Sequence, residues 1–318
     1  MSDQIDPIQE RGRAAIWLHR FTLLTAVATL PLLFIGGLVT SKGAGLAVPD
    51  WPTTFGYNMF LYPWSKMIGG IFYEHSHRLV ASGVGLLTLT LAFWLWFFER
   101  RTWMRWLGAL ALALVIIQGV IGGLRVILLE EMLAIVHACL AQAFFALTVS
   151  LVLFTSQEWT REPQRIELSE AVRLRRLCVL TTGMIYLQGA FGAVVRYVGA
   201  GIQVHLLFAA LVTFYVALLG ARILRAHLNE AKLSRPALFL IGLLILQLAL
   251  GLGSYAGKFT SLGRFFSPLS VVVLTTTHLV AGALMLVTSL VLTLRSYRLL
   301  VFPRPLLRQG FLSEQFSV

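Results

Sequence analysis

Cysteine is nearly absent from this chain. The 318 residues contain two, Cys139 and Cys178, both inside apolar runs and neither in a CxxC arrangement. That spacing excludes a paired-thiolate metal or redox motif and leaves both as small buried apolar side chains. Acid is also scarce: 14 Asp and Glu stand against 26 Lys and Arg, a formal net charge of +12. An excess of base can mean nucleic acid, but the placement of these residues points elsewhere.

What the chain has in quantity is apolar sequence. Hydrophobic residues make up 58% and the mean hydropathy is +0.80. A soluble domain is about 45–50% apolar, so one core could not absorb this much. The runs are long enough to cross a bilayer, which takes about 20 apolar residues per helix. Eight spans are expected, at 15–40, 67–98, 104–126, 131–155, 176–198, 202–225, 236–256 and 269–295. The expected fold class is an all-α polytopic membrane protein with two pseudo-symmetric four-helix bundles.

With the N-terminus inside, the inner segments hold Arg11, Arg13, Arg20, Arg100, Arg101, Arg105, Arg161, Arg165, Arg173, Arg175, Arg176, Arg222, Arg225, Lys232, Arg235, Arg295, Arg298, Arg304 and Arg308. The outer segments hold only Lys42, Lys66, Arg125, Arg196, Lys258 and Arg264, with Arg78 inside a span. This is the bias of the positive-inside rule. It places both termini in the cytoplasm and makes the basic excess a topology signal with some attraction to anionic lipid. No nucleic-acid partner is expected. The first apolar run is too long for the core of a cleaved signal peptide, and no cleavage site with a soluble domain follows.

The polar stretch 156–175 is the longest inner loop and the boundary between an N-terminal half (1–155) and a C-terminal half (176–318). The halves repeat one another. Phe34-Ile35-Gly36-Gly37 resembles Phe191-Gly192-Ala193-Val194, and Gln118-Gly119-Val120-Ile121-Gly122 resembles Gln247-Leu248-Ala249-Leu250-Gly251. Four spans per repeat give both halves one orientation, related by an axis along the membrane normal. The glycines at the outer ends of the odd spans allow close helix approach, and they also leave room for a flat macrocycle. The outer loop 41–66 is long and rich in Gly, Pro and aromatics, with Pro49, Pro52 and Pro63 excluding a continuous helix. It is expected to fold over the outer face, with a short interfacial segment at 57–64.

Four histidines occupy matching places near the outer ends of the even spans: His77, His137, His205 and His278. Singly, each reads as a hydrogen-bonded structural histidine. Together they read as two pairs of axial ligands, each pair between facing helices of a bundle. The densest cluster is Glu74-His75-Ser76-His77-Arg78. On a helix Glu74 and His77 share a face, whereas His75 and His77 point about 200° apart. An intramembrane carboxylate is costly and points to function, either orienting a substrate or moving protons. The structural alternative is an i,i+4 ion pair between Glu74 and Arg78. Arg125 and Arg196 follow glycine-rich span ends and could each hold a carboxylate at the outer surface. Gln118 and Gln247 are expected to bond between helices. His19 and His227 lie at inner ends and receive no role.

In sum these residues resemble the haem A synthase family. The resemblance rests on Glu-x-x-His-Arg at 74–78, the loop run from Gly43-Ala44-Gly45-Leu46 to Asp50-Trp51-Pro52, and Gln-Gly-x-x-Gly-Gly-x-Arg-Val at 118–126. It extends over about 15–295. It implies a membrane oxidoreductase that converts a methyl group of haem O to the formyl group of haem A by two hydroxylations and loss of water, for terminal oxidase assembly. It implies haem b as cofactor on His205 and His278, and substrate haem O near His77 and His137 with Arg78. Glu74 is then the family's functional glutamate, and Arg125 and Arg196 are candidate propionate contacts. Haem O synthase and an electron donor are the implied partners.

Many bacterial members carry a cysteine pair in the first outer loop. Here those places are Val48 and Thr54, so any mechanism that needs the pair is excluded for this chain. Two other classes compete. A diheme cytochrome b explains the four histidines but neither Glu74 nor the loop motif, and a non-haem transporter explains only the repeat.

Overall fold

The computed structural model describes residues 7–302, with side chains from residue 13. The side chain of Arg11, and Arg304, Arg308 and Val318, lie outside the described residues. The helices are α1 (Pro7–Ser41), α2 (Gly69–Phe98), α3 (Thr102–Leu128), α4 (Glu131–Thr155), the single turn α5 (Gln157–Thr160), α6 (Ala171–Val198), α7 (Ile202–Ala226), α8 (Ala231–Phe259) and α9 (Pro268–Leu299). Eight of them, all but α5, are long and apolar enough to cross a membrane. In hydrocarbon every backbone polar group must be satisfied within its own segment, which forces such runs into helix. The chain is a multi-pass membrane protein.

The expected spans fall on these helices with ends shifted by a few residues. The largest extension is at α1, which starts at Pro7; α6 and α8 start early as well, at Ala171 and Ala231. In α6 and α8 the helix continues past the apolar run because its first polar turns bury Ala171, Leu174 and Leu233. The last residues expected as linker are therefore helical. The rest of the linker is tied down by a two-residue strand, β1 (Ile166–Glu167), parallel to β2 (Leu300–Val301). Arg175 also donates to the carbonyls of Ser296 and Leu300.

α1 packs on α2, α2 on α3, α3 on α4 and α4 back on α1; α6, α7, α8 and α9 close a second ring in the same way. The seam between the rings is α1 and α4 against α6 and α9, filled by Leu33, Phe145, Ala283 and Val287. The packed cores lie toward the end of the molecule that carries the described termini. In the first ring they are built from Leu18, Leu91, Leu95, Met104, Leu151 and Phe154. In the second, Leu177, Val216, Leu219, Leu233, Leu240 and Leu292 do the same work. All four paired histidines sit beyond these cores, toward the opposite end.

The loop between α1 and α2 lacks a continuous helix. It forms two 3₁₀ turns, Met59–Leu61 and Trp64–Lys66, where an interfacial segment was expected at 57–64.

Candidate functional site

Each of the four histidines rests against a glycine on the helix before it. A Cβ on Gly36 would lie 3.0 Å from the His77 ring, on Gly122 3.2 Å from His137, on Gly192 3.2 Å from His205, and on Gly251 3.0 Å from His278. The glycines thus fix how deeply each imidazole sits. The structural register pairs Gly36 with Gly192, one residue displaced from the alignment Phe34 with Phe191, because contact with a histidine defines the equivalence.

All four Nδ1 atoms are buried without a hydrogen-bond partner. A buried polar atom left unpaired costs about 1–3 kcal/mol and marks a place where the protein fold alone is not the whole design. The His205 and His278 ring centres are 6.4 Å apart with planes at 73°. Metal–imidazole bonds of about 2.0–2.1 Å would put two rings on opposite faces of one metal with centres roughly 6.3 Å apart. The pair therefore fits bis-imidazole ligation of one iron. His77 and His137 lie on α2 and α4, each against a glycine of the preceding helix. Among the described residues no three His, Cys, Asp or Glu cluster as a metal chelate.

Three glutamines attend these histidines. Gln118 donates to the His137 carbonyl (3.1 Å), and Gln188 and Gln247 place their amides 3.4 Å from Nε2 of His205 and His278. Gln118 and Gln247 were expected to bond between helices; Gln188 was missed. Its signal was available, because each glutamine stands four residues before the glycine that meets the histidine. In α1 that position is Leu32, so His77 alone lacks the amide.

The Glu74 cluster faces the loop. Glu74 and Arg78 form a buried ion pair (2.9 Å), and the second Glu74 oxygen accepts the Val48 N–H (2.9 Å). Arg78 donates further to the carbonyls of Asp50 (2.7 Å), Thr53 (3.1 Å) and Val48 (3.1 Å). The i,i+4 pair is thus present and buried, and both of its members hold residues 48–53. His75 is buried under Tyr62 (5.1 Å between rings) and meets the Thr54 hydroxyl (3.1 Å). As helical geometry requires, His77 turns away, to Gly36.

A family model described as "Cytochrome oxidase assembly protein" (COX15-CtaA) matches residues 19–206, well over half of the chain. The chain belongs to this family. Curated relatives named Heme A synthase include one from Shouchella clausii, 32% identical over 143 residues (43% of this chain, 44% of the relative). Another, from Exiguobacterium sibiricum, is 29% identical over 189 residues (58% and 60%). A third, from Alkalihalophilus pseudofirmus, is 35% identical over 109 residues (33% and 35%). The chain thus spans about half the length of the curated relatives it matches.

The cytochrome oxidase assembly match contains Glu74, His77, Arg78, His137 and His205, while His278 lies beyond it. Val48 and Thr54 are both fully buried. Arg125 and Arg196 prove to be in different situations. Arg196 is committed to the seam, donating to the Gly37 carbonyl (2.7 Å), the Ser41 hydroxyl (2.5 Å) and the Thr275 carbonyl (3.4 Å). Arg125 rests against Gly45 and lies 5.7 Å from the Tyr197 ring centre, with no carboxylate partner among the described residues. Cys139 and Cys178 are free thiols.

Proposed function

We propose that this family member is a haem A synthase, an oxidoreductase that converts a methyl group of haem O to the formyl group of haem A. The observation that carries the reading is the set of four half-buried histidines, each seated on a glycine with its Nδ1 buried, and with one pair at the separation two axial ligands need. Family membership agrees with it. The reaction is two successive hydroxylations of the methyl carbon, then loss of water from the resulting diol.

In this reading residues 1–155 are the substrate half and 176–318 the cofactor half, related by an axis along the membrane normal, with both termini cytoplasmic. His205 and His278 would hold haem b, and His77 with His137 would hold haem O. A resident haem supplies one-electron iron chemistry to the reaction when bound. The chain's own residues orient and enclose. Gly36 and Gly122 set the depth of the ligand rings, and the apolar helix faces exclude water. We assign the propionate contact to Arg125, whose fork of donors matches a carboxylate. Glu74 and Arg78 serve the same site, and because their polar atoms already bind residues 48–53, they act on the ring through that segment. Haem O synthase and an electron donor complete the implied partners.

The test is expression in cells that make haem O, followed by pigment extraction and mass measurement. A new pigment with the mass of haem A, absent without the protein, is expected. Only unchanged haem O would overturn the proposal.

A further inference from the structure

The segment 48–54 is tied down far more heavily than a connecting loop requires. Four hydrogen bonds come to it from Glu74 and Arg78, and a fifth joins Thr54 to His75. Asp50 adds a local lock, accepting from Thr53 Oγ1 (2.5 Å), Phe55 N–H (2.7 Å) and Gly56 N–H (2.9 Å). What this clamp holds in place is Trp51. Its indole lies so close against the α3 backbone at Gly123 that a Cβ there could not coexist with it. Gly123 is the residue next to Gly122, which seats His137, and Arg125 lies two residues further on.

Resting on the reading of His77 and His137 as a haem-sized site, we propose that residues 48–54 are its cover and that Trp51 is the side chain through which the cover touches the bound ring. Indole offers a large flat apolar face that stacks on another π system at low conformational cost. Glu74 and Arg78 are then positioning residues: they hold the backbone that aims Trp51. This accounts for the burial of the Glu74–Arg78 ion pair against the loop.

The test uses full-length protein in nanodiscs, carrying its resident haem and titrated with a second equivalent of ferric protohaem. Release to an excess of a haem-scavenging protein is then timed. Trp51→Ala should release the second ring at least tenfold faster than the parent, Trp51→Phe should restore most of the retention, and Glu74→Gln should fall between. Glu74→Gln should also speed hydrogen exchange at the Val48 amide. Trp64→Ala, at the exposed tip of the loop, should release at the parental rate. An unchanged spectrum of the resident haem reports that each variant is folded. If the parent takes up a second ring that His137→Ala does not, and Trp51→Ala releases it at the parental rate, the cover is overturned while the site stands. If the parent takes up no second ring, or His137→Ala takes it up equally, both the site and its cover fall.

Discussion

The N-terminal and C-terminal rings present the same ligand pattern and differ in what surrounds it. Between α6 and α7 the chain turns within residues 199–201, with Gly199 and Gly201 in left-handed conformation. The corresponding connection between α1 and α2 runs over 42–68 and brings Trp51 to α3 under the clamp of Glu74 and Arg78. In the C-terminal ring both histidines have a glutamine amide at 3.4 Å. In the N-terminal ring Gln118 bonds to the His137 backbone, and Leu32 stands where the fourth glutamine would be. On the proposed division of roles, the resident cofactor takes the ring whose first connection is a tight turn, and the substrate takes the ring whose first connection folds back onto α3.

The largest effect that would break this comparison is at the ligands. His205→Ala or His278→Ala should strip the stably bound haem, because packing does not replace a lost axial bond, while His77→Ala and His137→Ala should leave it in place. Absorbance of the purified variants decides. A normal bis-histidine spectrum in both C-terminal variants would contradict the division of roles.

Much of this was legible from sequence. The eight spans follow from run length, and the histidine pairs from their recurrence in alternate spans. The surroundings were not. The partners of Glu74 and Arg78 are backbone groups of an irregular loop, for which no periodicity exists to read, so the pair looked like an isolated helical ion pair. Arg125 and Arg196 follow similar glycine-rich runs and part company only in three dimensions, where Arg196 meets Gly37 and Ser41 of α1 and Thr275 of α9 while Arg125 meets Gly45 and Tyr197. Gln188 was readable from its spacing to Gly192, but that pattern stands out only once Gly122 and Gly251 are seen to meet histidines.

The seam gives the next largest expectation. Arg196→Gln removes charged donors from Gly37, Ser41 and Thr275, and hydrogen bonds to charged groups contribute about 1.5–3 kcal/mol each. The 3.4 Å bond to Thr275 is long and the Gln amide can keep one of the other two, so we expect a loss of about 2 kcal/mol in stability, read as a lower thermal midpoint in detergent. Arg125→Gln should leave that midpoint unchanged and instead weaken uptake of a second ring. Equal thermal effects would erase the distinction between the two arginines.

A smaller change should sharpen the asymmetry from within. Leu32→Gln gives α1 the amide that α3, α6 and α8 already have, facing the one histidine without it. Interhelical polar contacts in membranes average about 0.6 kcal/mol and reach about 1.7. The second ring should therefore leave a few-fold more slowly. Gln247→Leu should loosen the resident haem by a similar factor. If Leu32→Gln speeds release, the glutamines do not support their histidines.

The smallest expected effect is the most local, at Asp50. Slight burial pushes its carboxyl upward, but bonds from the Gly56 amide, the Thr53 hydroxyl and the Phe55 amide outweigh it and hold the pKa below the ordinary 3.8. A carboxyl lowered on folding stabilises the fold fully above its unfolded value. That contribution fades as pH falls through the lower folded value. Acid should therefore loosen residues 50–56, and raising the pH above neutrality should not. Asp50 is partly exposed, so solvent screening keeps the effect modest and confined to the cover. Hydrogen exchange at the Phe55 and Gly56 amides, corrected for intrinsic rates, should rise below about pH 4 while the helices stay protected. Asp50→Asn should show that faster exchange at every pH and lose the acid step. An acid step that persists in Asp50→Asn would assign the cover's pH response to another group and remove Asp50 from the clamp.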